Sequence, residues 1–93
     1  MKIKDYRPEL FNIGESIINQ SKVWQNGNPK FAPPDGTCWY CRFNIYVPRF
    51  WKYRGFGKIE TSKDTAEFVT GVTIEKSKNL ITSCPHCNRS YCD

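Results

Sequence analysis

Histidine is almost missing from this chain: His86 is the only one in 93 residues. Long apolar runs are missing as well, and nothing approaches the roughly 20 residues that a membrane-spanning helix needs. The opening stretch, MKIKDYRPELFNIGES, has no apolar core of the kind secretory signals carry. There is no low-complexity tract, and no glycine-rich loop to cradle a phosphate. No serine or cysteine is paired with a base. Glu60, Asp64 and Glu67 form a loose acidic group whose spacing suits a solvated face. These absences argue against hydrolytic triads, nucleotide-triphosphate chemistry and membrane insertion, so a non-enzymatic role is expected, with no small-molecule substrate and no membrane partner. The expected location is intracellular and cytoplasmic, where thiols stay reduced.

The chain does hold five cysteines, and 15% of its residues are aromatic. The length points to a single domain over residues 1–93. A domain of that size buries a modest core and often needs a staple. Bulky aromatics supply much of the buried area available. The formal net charge is +5, but four thiolates on a divalent ion carry −2 between them, which brings a metallated chain to about +3. Such a charge suits nucleic acid or an acidic partner only weakly.

Residues 9–25 place Leu10, Ile13, Ile17, Ser21 and Trp24 at helical spacing, with Ile18 alongside. This predicts an amphipathic helix opening after Pro8, within an N-terminal helical segment spanning 1–30. Asn26-Gly27-Asn28-Pro29 ends it, and Ala32-Pro33-Pro34-Asp35-Gly36 is a stiff turn. Strands are expected over 44–47, 50–53 and 59–61, and again at 68–70. Residues 62–67 read as a loop or helical turn. A hairpin pairing 72–74 with 80–82 would then deliver Cys84.

The cysteines fall as Cys38-Trp39-Tyr40-Cys41 and, forty-two residues on, Cys84-Pro85-His86-Cys87. Two intervening residues just close a tight loop, so each pair brings two sulfurs to one ion. Two such loops complete the tetrahedron that zinc prefers. In a reduced compartment, paired motifs of this kind read as metal ligands rather than disulfides. Pro85 pre-sets the second turn, and Asn88 can take a left-handed conformation after it. Cys38, Cys41, Cys84 and Cys87 are therefore the expected ligands of one structural Zn2+, with no position left open for water or substrate. His86, between two ligands, should point away from the ion, and Cys92 should be a free surface thiol.

Residues 38–92 resemble zinc ribbons, in which hairpins carry two cysteine knuckles. More locally, Asn79-Leu80-Ile81-Thr82-Ser83-Cys84-Pro85-His86-Cys87-Asn88-Arg89 is similar to the distal half of HNH nucleases, and Cys38-Trp39-Tyr40-Cys41 to their proximal knuckle. That resemblance implies a treble-clef variant. The family's Asp-His pair is missing between the knuckles, which implies a non-catalytic relative. Arg54-Gly55-Phe56-Gly57-Lys58-Ile59 is similar to the strand signature of RNA-recognition and cold-shock domains, where aromatics stack on bases. Four thiolates also resemble the iron site of rubredoxin-like electron carriers. Here Arg42 stands where that family has glycine, and the first knuckle lacks its proline.

Residues 42–58 contain five cations and no acid. Cations meet phosphates and aromatic faces stack on bases, so the mixture suits single-stranded nucleic acid. The candidate contacts are Arg49, Trp51, Lys52, Tyr53, Arg54, Phe56 and Lys58. Strand alternation puts Phe50, Lys52 and Arg54 on one face and Trp51 and Tyr53 on the other. The same aromatics are also the largest groups available for a core, with the charges covering its edges. The expected fold is α+β: a small zinc-ribbon-like β domain with an N-terminal helix. Its expected role is a nucleic-acid-associated adaptor or regulator, with a protein-interaction module or inhibitor as the alternative and iron electron transfer as a third reading.

Overall fold

The computed structural model describes residues 1–92 and has one α-helix and one three-stranded antiparallel sheet, an α+β arrangement. Helix α1 spans Ile13–Gln25 and strands β1, β2 and β3 span Arg49–Arg54, Gly57–Glu60 and Phe68–Thr70. The helix starts three residues later than Leu10 because Pro8–Leu10 forms a separate 3-10 turn. Asn12 then caps α1, its side chain accepting the Glu15 N–H at 2.9 Å and satisfying one of the unpaired donors of the first turn.

The buried stripe of α1 differs from the apolar one expected. Ser16, Gln20 and Val23 are inside, with Ile17 and Trp24 at the flanks, while Ile13 and Ile18 face solvent. Gln20 explains the rotation. Its amide nitrogen donates to the Ser77 and Asn79 carbonyls, both at 2.9 Å, and its oxygen accepts the Ile81 N–H at 3.3 Å. Asn19 adds donations to the Ile74 carbonyl and the Ser77 hydroxyl. A fully bonded glutamine can be buried at little cost, and it fixes the facing chain as a β-ladder would. For that reason the expected hairpin of 72–74 with 80–82 does not form. Lys76–Lys78 is a 3-10 turn instead, and the backbone groups around it bond to the helix.

The expected strand at 44–47 is also replaced by a turn. Asn44 Oδ1 accepts the Tyr46 N–H at 2.8 Å, a local bond that competes with strand pairing. Ile45 and Tyr46 are thereby turned into the core. The remaining strand expectations correspond to β1, β2 and β3, with the second starting two residues earlier than 59, and residues 63–65 make a 3-10 turn.

The sheet order is β2-β1-β3. Trp51 lies opposite both Glu60 and Phe68, and Tyr53 opposite Lys58. Arg49, Trp51, Tyr53, Lys58, Phe68 and Thr70 therefore share one face, and Phe50, Lys52 and Arg54 the other. The second face is partly covered by Tyr6, whose ring meets Phe50 edge-on at 5.2 Å. Gly55-Phe56 turns β1 into β2, with Gly55 at φ +56° in the glycine-first arrangement that tight hairpins favour. The main core gathers Ala32, Ile45, Tyr46, Val72 and Ile81 around Cys38 and Cys84, with Ile17, Trp24 and Tyr91 packed against it. The sulfurs thus sit within the core.

Candidate metal centre

The two cysteine pairs fold alike. Cys38 N–H bonds to the Phe43 carbonyl, and Arg42 N–H to the Cys38 carbonyl, both at 3.0 Å. The second pair repeats this with Cys84 to Arg89 and Asn88 to Cys84, both at 2.9 Å. Each loop is closed by a single bridge, Thr37 with Asn44 and Ser83 with Ser90. Each needs a left-handed residue after its second cysteine, Arg42 at φ +67° and Asn88 at φ +62°. Asparagine tolerates that region better than most residues, and the Asn88 conformation is as expected. Arg42 carries no comparable signal. Gly36, at φ +85°, leads into the first loop where any Cβ would lie 2.8 Å from Asn44 and Tyr46 side-chain atoms.

The four thiol sulfurs lie within 4.8 Å of one another, and Cys38–Cys87 and Cys41–Cys84 are each separated by 3.8 Å. A tetrahedron with metal–sulfur bonds of about 2.3 Å has edges of about 3.8 Å. All five cysteines are free thiols. The spacing thus fits four ligands around one ion, and these four cysteines form a site that can hold a metal.

The surroundings of the sulfurs favour that use. The Tyr40 N–H points at Cys38 Sγ and the His86 N–H at Cys84 Sγ, both at 3.4 Å. The Tyr91 hydroxyl is buried beside the Cys38 and Cys84 sulfurs and has no hydrogen-bond partner at bonding distance among the described residues. These donors favour thiolate over thiol. Burial opposes ionisation at Cys38, but nearby N–H groups and the Tyr91 hydroxyl outweigh it and bring the thiol down to about 6. Burial dominates at Cys84 and pushes it up to about 12. Four thiolates cannot share so small a space without a cation to neutralise them, which is the chemistry of a metal site. Cys92 lies outside the cluster, exposed and within 3.2 Å of Ser90 Oγ.

His86 points away from the sulfurs and is 1% exposed. Its Nε2 is 2.9 Å from the Asn44 carbonyl, which can only accept, so Nε2 carries the proton. Nδ1 then accepts the Thr70 hydroxyl at 2.6 Å, and Thr70 Oγ1 accepts the Trp51 indole N–H at 2.7 Å. Every member of this chain is satisfied. It ties the second knuckle to β3, β1 and the end of the first knuckle. Burial holds the imidazole below its ordinary pKa, with Arg49 and Lys58 pushing the same way.

The basic aromatic residues divide into two groups. Trp51 is 8% exposed and packs beneath Arg49 and Lys58, whose cationic ends lie 4.5 and 4.3 Å from its ring centre. Arg49 also covers Phe43 and pairs with Glu60 at 2.6 Å, and Lys58 Nζ donates to the His86 carbonyl at 2.5 Å. These three residues are engaged within the fold. Tyr53 and Phe56 stand exposed at the hairpin end, and Arg54 is exposed on the opposite face beside the half-buried Lys52. Sequence reasoning did not find Tyr91, or the exposed pair Trp39 and Tyr40 that stands against its ring at 5.4 and 6.3 Å. Tyr91 follows the second knuckle as Asn44 and Ile45 follow the first, and that internal correspondence is the signal that could have identified it.

No family model, curated protein or solved structure matches this chain. Among the described residues, no helix is long and apolar enough to cross a membrane.

Proposed function

We propose that this chain is a non-enzymatic zinc-binding module whose hairpin end binds single-stranded nucleic acid. Zinc suits the site because four thiolates in a closed tetrahedron leave no open coordination position, the mark of a structural ion. Iron would occupy the same sulfurs in a coloured, redox-active protein. Elemental analysis separates the two readings: one zinc per colourless chain supports the first, and iron overturns it.

The nucleic-acid reading is carried by one observation. Tyr53, 66% exposed, and the fully exposed Phe56 flank Arg54 at the hairpin end. Tyr53 stacks on Phe68 yet stays largely solvated, and Phe56 is fully exposed, an arrangement that suits stacking on unpaired bases. The test is the salt dependence of binding to a labelled single strand. Affinity should fall linearly on logarithmic axes as salt rises, and Arg54→Ala should reduce the slope by about 0.7 if one phosphate contact is lost. Binding that ignores salt would refute this reading. A protein-interaction module is the second reading, favoured by Trp39 and Tyr40, each 51% exposed. It predicts salt-tolerant binding that Trp39→Ala weakens.

A further inference from the structure

The sheet face that carries Trp51 borders a cleft of about 510 Å3. Tyr53 and Phe68 line it, their rings stacked on each other with centroids 4.6 Å apart. Phe56 of the hairpin turn, Lys58 of β2 and Pro85 and Asn88 of the second knuckle line it as well. The knuckle backbone fixes Asn88, whose N–H bonds to the Cys84 carbonyl at 2.9 Å. Its side-chain amide is exposed and makes no hydrogen bond among the described residues. Glu60 pairs with Arg49, whereas Glu67 accepts the Tyr53 N–H and keeps its negative charge.

We infer that this cleft takes one unstacked nucleobase of a single strand, stacked on the exposed ring of Tyr53 with its polar edge toward the Asn88 amide. The assignment rests on the nucleic-acid reading above and gives it a particular site. Three rings around one opening match a flat aromatic guest. An amide offers a donor and an acceptor side by side, the arrangement that reads a base edge. Arg54, exposed at the hairpin end on the other face of the sheet, supplies positive charge for a phosphate of a strand that rounds the hairpin tip. Because Pro85 and Asn88 of the metal knuckle line the cleft, the site is complete only when that knuckle is folded.

The test uses the metal-loaded full chain and fluorescence anisotropy with short single strands: the four homopolymers, and one strand carrying a central abasic position. Asn88→Gly is the informative variant, because glycine keeps the left-handed backbone while deleting the amide. Tyr53→Leu is the second, and metal content and circular dichroism check that both fold. The base-bearing strands are expected to bind about tenfold or more tightly than the abasic one. Tyr53→Leu should erase that margin, and Asn88→Gly should level the ranking among the four bases. Equal binding of abasic and base-bearing strands, or a base ranking untouched by Asn88→Gly, would overturn the cleft assignment. If binding then still fell with salt and with Arg54→Ala, the broader reading would stand without the cleft. If no strand bound at all, both would fall.

Discussion

Replacing His86 with alanine separates a structural histidine from a metal ligand. The ring makes two hydrogen bonds, at 2.6 Å to Thr70 Oγ1 and 2.9 Å to the Asn44 carbonyl, in a site that is 1% exposed. Alanine leaves the Asn44 carbonyl without its donor and the Thr70 O–H without its acceptor, while Thr70 Oγ1 still accepts the Trp51 indole N–H, and each lost bond costs roughly 1–3 kcal/mol. Some relief comes from water entering the space, so the expected loss is about 3–4 kcal/mol. Urea unfolding at fixed free zinc measures it, and elemental analysis should still find one metal per chain. His86→Gln places an amide N–H near the Nε2 position and should keep the Asn44 bond, recovering about half the loss. The ring should show the Nε2–H tautomer by nitrogen NMR. Its pKa lies below the ordinary 6.5, so its contribution is complete above 6.5 and shrinks as pH falls through the lowered value. The reasoning fails if His86→Ala costs under about 1 kcal/mol, or if it removes the metal while the fold survives.

Cys84→Ser should abolish stoichiometric metal binding and, with it, on the order of 10 kcal/mol of folding free energy, so the variant should be unfolded by circular dichroism, whereas Cys92→Ser should leave metal content and stability unchanged. Gly36→Ala should destabilise by about 1–3 kcal/mol in denaturant unfolding, because its φ of +85° disfavours a side chain and the new Cβ meets Asn44 and Tyr46 atoms at 2.8 Å. Acidification should release the ion, since each sulfur must lose a proton to bind it; a zinc-sensitive dye should report release as pH falls, in the same direction as the His86 contribution. Chelation at neutral pH should raise hydrogen exchange at Trp51 and Thr70 as well as at the cysteines, because His86 joins the sheet to the second knuckle.

The parts of this molecule that were legible in the sequence are those with short-range, periodic or punctuated signals. The cysteine spacing placed the four ligands together without reference to any strand. The aromatic run at 50–53 and the glycines after it correspond to β1 and its turn, with Trp51 and Tyr53 on one face. What did not show was where polar side chains take over the work of secondary structure. Gln20 on the helix looks like a solvent residue in any periodicity count, yet it is buried and bonds three backbone groups some sixty residues away. That long-range bond moved the buried stripe off Ile13 and Ile18 and removed the hairpin before Cys84. Asn44 did the same at shorter range to the strand expected at 44–47. A polar residue's partner is set by tertiary placement, so one-dimensional patterns do not reveal it.

Those polar clamps also explain why the chain can use a metal as part of its core. Among the described residues regular structure is scarce: one α-helix of 13 residues and strands of 6, 4 and 3. A hydrophobic cluster this small orders long loops with difficulty, since each fixed residue costs roughly 1–2 kcal/mol of backbone entropy. The two knuckles shorten the problem by repeating one loop geometry, and a shared ion would close the chain between Cys41 and Cys84, forty-three residues apart. Joining the sulfurs alone would leave the sheet free to swing about the second knuckle. The Trp51–Thr70–His86–Asn44 chain blocks that motion, because its bonds run from β1 through β3 to both knuckles. The hairpin end is left projecting from a braced base, with Tyr53, Arg54 and Phe56 exposed. A rigid mount presenting exposed rings and a cation loses little freedom when a partner binds, which is what a recognition surface requires.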